Sequence, residues 1–233
     1  MSKINKLEEE LISIIDKIVN DIIKKNLKLN ISAKSRAGAE ISDYLEKSFE
    51  QTAKKITNKF IRIQPSPDGA TKNPWDLKFQ FKINSHLEEI WIDFKAIKIS
   101  SVDSNPDIGT PKKLFDLIGD GFFYIVYVYV FYDEDGNGLK FEKKDNKYTK
   151  TYLLKDISKT FRRTPTNQLQ VNASSIPEKR SRKEFLKILF KKIEESYKRQ
   201  IEKSTKELKG IEDKKKDILY KNEINEKKII DNL

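Results

Sequence analysis

The chain has 233 residues, enough for one domain with a true core plus an appendage. Hydrophobic residues make up 37% and charged residues 36%, and 47 Lys and Arg against 36 Asp and Glu leave a formal net charge of +11. That excess points to a polyanionic partner, nucleic acid or an anionic membrane surface, while the lack of Cys excludes disulfides and thiolate metal sites.

Residues 4–26 read as an amphipathic helix, with Ile4, Leu7, Leu11, Ile14, Ile15, Ile18, Ile22 and Ile23 at three- and four-residue spacing. Its acidic Glu8, Glu9, Glu10 and Asp16 argue against a signal peptide, and no run in the chain is apolar enough to span a bilayer. A linker over 27–35 precedes a second predicted helix from about Arg36 to Phe60, with Ser35 as its N-cap and Ile41, Leu45, Phe49, Ile56 and Phe60 on one face. Residues 64–74, rich in Pro, Gly and Asn, are expected to be a loop.

Asp76 to Ile83 alternates Leu77, Phe79, Phe81 and Ile83 with Lys78, Gln80 and Lys82, and Glu89 to Ile99 follows a short turn at 84–86; the two predict an antiparallel hairpin. Residues 100–109 are a polar loop, and Thr110-Pro111 supplies an N-cap and first position for a helix running to Gly119 or Gly121. Phe122 to Tyr132 is continuously apolar and aromatic, which predicts a central strand buried on both faces. Two further strands are expected near 139–142 and 148–154, then a polar, basic, amide-rich segment over 161–177. Ser181-Arg-Lys-Glu184 is a capping box that opens a long C-terminal helix. Residues 178–233 hold 18 basic and 12 acidic side chains, over half of the charge excess. The pattern predicts an α/β (α+β) fold, with a mixed β-sheet flanked by helices and long helices at both ends. It divides the chain into a domain over 1–209 and a charged helical tail over 210–233.

Asp93 and Lys95 stand two apart on a predicted strand, so their side chains share a face. Trp91, Ile97 and Ile99 have the same parity, which is unlike a simply solvated face. Asp76 opens the partner strand seventeen residues earlier. Two carboxylates and a lysine at one sheet edge can hold Mg²⁺ and an activated water, because Mg²⁺ accepts one or two carboxylates and leaves room for waters and phosphate oxygens. Asp76 and Asp93 are the expected ligands with the Phe94 backbone carbonyl, and Lys95 is the expected water-handling cation. Glu40 is the expected helix carboxylate, with Asp43 and Glu46 as rivals on the same helix.

The motif formed by this helix carboxylate, Asn73-Pro-Trp-Asp76 and Ile92-Asp-Phe-Lys95 resembles the PD-(D/E)XK nucleases. The strings Gly38-Ala-Glu-Ile-Ser-Asp-Tyr-Leu-Glu46, Lys72-Asn-Pro-Trp-Asp76, Glu89-Ile-Trp-Ile-Asp-Phe-Lys-Ala96, 103–111, 152–156 and 170–172 are most similar to type II restriction endonucleases like SwaI. One departure is Trp75 between Pro74 and Asp76; Pro67-Asp68 is the rival, set in a loop with no strand to position it. The resemblance implies a restriction-endonuclease-like fold and a homodimer in the bacterial cytoplasm. It implies Mg²⁺-dependent cleavage of both strands of double-stranded DNA at an A·T-rich palindrome of about eight bases, ATTTAAAT-like, with blunt ends and 5′-phosphates. A cognate DNA methyltransferase is the implied functional partner.

Adenine presents N6 and N7 in the major groove, which Asn and Gln match with two hydrogen bonds. Asn167, Gln168, Gln170 and Asn172, interleaved with Leu169 and Val171, are therefore the candidate base readers, with Arg162 and Arg163 suited to phosphates. Lys34, Ser35 and Arg36 form a second candidate DNA contact; Lys72, Asn73, Ser104, Asn105, Lys112 and Lys113 are further ones. Asp133 to Gly138 imitates a calcium loop, but Lys144 occupies its twelfth position, so a hairpin turn is expected. Two other readings share these residues: a repair nuclease with the same core, and a non-cleaving DNA-binding protein.

Overall fold

The computed structural model describes residues 3–30, 37–67, 75–101, 104–136 and 138–232. Helix α1 (Lys3–Lys25) and α2 (Gly38–Ile56) precede the strands β2 (Phe60–Pro65), β3 (Leu77–Ile83) and β4 (His86–Lys98), while β1 (Lys28–Leu29) lies between the two helices. Helix α3 (Pro111–Gly119) leads to β5 (Ile125–Asp135), β6 (Gly138–Phe141) and β7 (Thr149–Leu153); a small hairpin of β8 (Arg162–Arg163) and β9 (Leu169–Gln170) precedes α4 (Arg182–Ile230). This is the expected mixed α+β architecture. The sheet runs β1-β6-β5-β4-β3-β2, with β7 also paired to β5.

Strands β3 and β4 form the predicted antiparallel hairpin, joined by a two-residue turn in which Asn84 takes φ 53°. Strand β4 then pairs in parallel with β5, Asp93 opposite Tyr127 and Lys95 opposite Tyr129. As its composition predicts, β5 is buried on both faces from Ile125 to Tyr132. Leu77, Phe79, Phe81, Ile90, Ile92, Phe94, Val126, Val128 and Val130 face the buried sides of α1 and α2 in one core. The opposite face, which carries Asp93, is covered in part by the crossover between β4 and β5. There Trp91 stacks on Phe122 with ring centroids 4.7 Å apart, and the Tyr127 hydroxyl donates to the Ile108 carbonyl at 2.8 Å.

Several boundaries differ from expectation. Helix α2 stops at Ile56, and Phe60 is not on its face but opens edge strand β2, opposite Phe81. The predicted loop over 64–74 therefore begins inside a strand. Lys28 and Leu29, expected in a linker, pair with Lys140 and Leu139. The calcium-loop mimic is a strand end and turn, with β5 reaching Asp135 opposite Gly138. Thr110 caps α3 by accepting from the Lys113 amide, and Ser181 and Glu184 bond reciprocally at the start of α4. Ser35, the expected cap of α2, lies outside the described residues. Helix α4 passes through Gly210 without a break; the two compact units are Met1–Leu186 and Lys187–Leu233. Among the described residues no helix is long and apolar enough to cross a membrane.

Gly138 sits where β1 crosses β6 so closely that a Cβ would meet the Leu29 carbonyl oxygen at 2.5 Å. Backbone cannot yield as a side-chain tip does, so Gly138→Ala is expected to cost about 1–3 kcal/mol. Urea unfolding of the two proteins checks this; equal midpoints would contradict it.

Candidate active site

Asp76 immediately precedes β3. Continuing the Leu77–Ile92 register by one step sets it opposite Asp93, and its amide donates to the Ile92 carbonyl at 2.9 Å. Its Oδ2 accepts from the Phe94 amide at 2.6 Å. A strand residue directs its N–H and C=O to the same edge, so the Phe94 carbonyl points to the side on which Asp76 lies. Asp93 and Lys95 form an ion pair at 2.7 Å, with side chains only 19% and 25% exposed. The sequence-predicted trio Asp76, Asp93 and Lys95 is thus brought together. It lines a cleft of about 210 Å³ with Asp107, Gly109, Lys113, Tyr127 and Gln168.

The electrostatics follow from burial. Burial pushes Asp93 up to about 6, and the negative charge of Asp76 adds to the shift against the pull of Lys95. Asp76 is also raised, by burial first, in opposition to the Phe94 amide and Lys95. Lys113 is lowered by burial and by Lys95, although Asp93 and Asp76 pull the other way. Two carboxylates held out of water beside each other resist ionisation, and a hard divalent cation would relieve both. Among the described residues no three His, Cys, Asp or Glu close around one point. A two-carboxylate site suits Mg²⁺, whose remaining positions go to carbonyl, water and phosphate oxygens.

The helix carboxylate beside this pair is Glu46 rather than Glu40. The Ser42 hydroxyl donates to Glu46 Oε1 at 3.0 Å and is close enough to Asp76 to act on its carboxyl, so it stands between the two acids. Glu46 Oε2 accepts from the Ser66 amide at 3.2 Å, and Glu46 is raised by burial and by the charge of Asp76. Glu40 lies six residues earlier, about 9 Å along the helix axis. Its charge acts on Tyr132, which pairs with Lys98, five residues past Asp93; its Oε2 is buried without a hydrogen-bond partner. Asp43 is turned outward to Lys47.

The amide-rich segment divides. Asn167, at φ 62°, accepts from Arg163 Nε at 2.7 Å inside the β8–β9 turn, and Asn172 Oδ1 accepts from the Ser174 amide. Gln168 lines the cleft, and Gln170 donates to Asp107. Arg162 and Lys112 are exposed; Ser104 is half-buried and its carbonyl accepts from Ala173, and Asn105 is half-buried near it in the chain. Lys34, Arg36, Lys72, Asn73, the rival Asp68 and Asp103 lie outside the described residues. Sequence reasoning gave Lys113 only a minor place and missed Asp107. A first-turn lysine after a Thr-Pro cap was the available signal for the former.

A larger cavity, about 1300 Å³, lies between α1, β7 and residues 173–184. Its buried ions satisfy one another: Lys155 pairs with Glu8 at 3.0 Å and Asp156 at 2.9 Å. It has no counterpart to the converging acids of the smaller cleft.

The model of the SwaI restriction endonuclease family, SwaI-like, matches residues 3–211. No curated protein matches the chain.

A carboxyl whose folded pKa lies above its unfolded value stabilises the fold less as pH rises through that interval, since the folded state then holds the extra proton. For Asp93, from 3.8 unfolded to about 6 folded, the loss is complete above pH 6 and on the order of 3 kcal/mol. Asp93→Asn is therefore expected to melt higher than the parent at pH 7.5 in EDTA, with the gap closing toward pH 4. A variant less stable at pH 7.5 would contradict the burial argument.

Proposed function

The chain belongs to the SwaI-like restriction endonuclease family and is a type II restriction endonuclease; from that membership we propose that it cuts both strands of a palindromic, A·T-rich DNA site with Mg²⁺ as cofactor. The observation that carries this reading is the convergence of Asp76, Asp93 and Lys95 on one cleft, with the Asp93–Lys95 pair at 2.7 Å. The arrangement is that of a PD-(D/E)XK nuclease. Asp76, Asp93 and the Phe94 carbonyl would hold the metal, which when bound would polarise the phosphoryl group and acidify a water.

Lys95 keeps the attacking oxygen within reach of phosphorus and balances the charge that builds there. Lys113, on the same cleft wall, adds a second positive group facing the phosphate. Glu46 holds the Ser42 hydroxyl in place beside Asp76. Water adds to phosphorus and the bond to the 3′-oxygen breaks, which leaves a 3′-hydroxyl and a 5′-phosphate. Gln168 and Gln170 read bases, with Arg162 on the backbone.

Symmetrical cutting of a palindrome calls for a twofold dimer, and blunt ends at an eight-base, ATTTAAAT-like site are the expected pattern. A host carrying this activity in its cytoplasm needs a methyltransferase that protects the same site.

Digestion of a large A·T-rich DNA with Mg²⁺, followed by sequencing of the fragment ends, tests the proposal. One palindrome shared by all ends is expected; a smear without common ends would overturn it. Asp76→Ala and Lys95→Ala should each lower single-turnover cleavage by at least about a hundredfold while DNA binding persists. Glu46→Gln should slow it roughly ten- to a hundredfold, and Glu40→Gln should cut at the parent rate. The reverse order would return the helix role to Glu40.

A further inference from the structure

We infer that Asp107 is a positioning residue that fixes the Gln170 side-chain amide in the orientation that accepts adenine and rejects guanine. The inference rests on the proposal that the 167–172 segment reads DNA. Residues 107–109 run beside β9 through an isolated bridge: Ile108 donates to the Leu169 carbonyl and Leu169 to the Gly109 carbonyl, both at 2.8 Å. Asp107 and Gln170 are directly paired in this antiparallel arrangement, so their side chains share a face. Gln170 Nε2 donates to Asp107 Oδ1 at 2.7 Å.

The chemistry of the pair settles which way the amide points. An ionised carboxylate only accepts, so it must take a hydrogen from Nε2 and cannot bond Oε1. One Nε2 hydrogen and the Oε1 lone pairs then remain for a partner. That donor–acceptor set matches adenine, which offers N7 as acceptor and N6 as donor. Guanine offers two acceptors, N7 and O6, and would face Oε1 with an unpaired lone pair. Without Asp107 both Nε2 hydrogens are free, and an unpinned amide can swing Nε2 onto guanine N7 or O6 without bringing Oε1 against the base. Asp107 is also part of the wall around Asp93 and Lys95, as is Gln168 two residues before Gln170. The orienting contact therefore sits at the edge of the cleft itself.

Asp107→Asn tests this with little change of shape at an exposed position, since its own amide can present either oxygen or nitrogen and leaves Gln170 free to turn. The full-length parent, Asp107→Asn and Gln170→Ala would each select duplexes from a randomised pool in Ca²⁺, and bound sequences would be counted. Loss of at least about fivefold preference for A·T over G·C at one base pair of each half-site is expected, at the same pair in both variants. Thermal melting confirms that each variant is folded. Relaxation by Gln170→Ala alone overturns the role of Asp107 and leaves Gln170 as a reader. No relaxation in either variant, or a parent that selects no common site, overturns the inference together with the DNA-reading segment. Neither outcome touches the cleavage chemistry, which the Asp76→Ala digestion reads separately.

Discussion

The parallel pairing of β4 with β5 is the constraint from which the remainder of the molecule follows. Because β5 is buried on both faces, the strand beside it is interior, and any charge on that part of β4 is withdrawn from water. An Asp and a Lys two apart on an edge strand would be a solvated pair worth little. Beside Tyr127 and Tyr129 the same two residues become a confined pair whose acid ionises reluctantly. Parallel strands also cannot be joined by a tight turn and require a crossover. Here the crossover carries Asp107, Ile108, Gly109 and Lys113 over the Asp93 face. The connection that topology demands is thus also the roof of the cleft.

The cleft is electrostatically unsatisfied in a specific sense. Glu46, Asp76 and Asp93 all lie above the usual carboxylate range, and Lys113 lies below the usual ammonium range. Each shift is led by burial, and the charge of Asp76 adds to the shifts of Glu46 and Asp93. Such a cluster opposes folding, because every charge in it would be better hydrated in the unfolded chain. In the larger cavity burial also raises Glu8, but there a single ammonium, Lys155, bonds both acids, Glu8 and Asp156, and also reaches the Arg180 carbonyl at 2.7 Å. An ammonium between two acids already occupies the place of a cation, whereas the cleft of Asp76 and Asp93 is suited to a divalent cation that arrives later.

Much of this was legible in the sequence where local pattern and tertiary role agree. The apolar run Phe122 to Tyr132 marked the interior strand, although the strand itself begins at Ile125 and extends to Asp135, and the alternation after Asp76 set its hairpin. Asp93 and Lys95 followed from strand parity, and Asp76 from its place at the start of the partner strand and the resemblance of its motif. Glu46 did not, because helical spacing gives several carboxylates on α2 and only the docking of that helix decides which turn meets the sheet end. Phe60 was misplaced for a related reason: it continues the apolar face of α2 at i+4 from Ile56, and only its pairing with Phe81 makes it a strand residue. Asp107 had no local signal at all. Its role depends on a hydrogen bond across sixty-three residues of chain, which no periodicity encodes.

The same long-range bond ties recognition to chemistry. The hairpin is held to residues 107–109 by two backbone hydrogen bonds and one side-chain hydrogen bond, and that segment is held to β5 by the Tyr127 hydroxyl on the Ile108 carbonyl. Tyr127 is the register neighbour of Asp93. From Gln170 to Asp93 there is therefore a continuous path of short polar contacts and paired strands, with the buried Tyr127 in the middle. A displacement of the hairpin is a displacement of the cleft wall that carries Lys113. The hairpin and the cleft wall are then not separable modules in this fold, because both depend on the one crossover that parallel strands require.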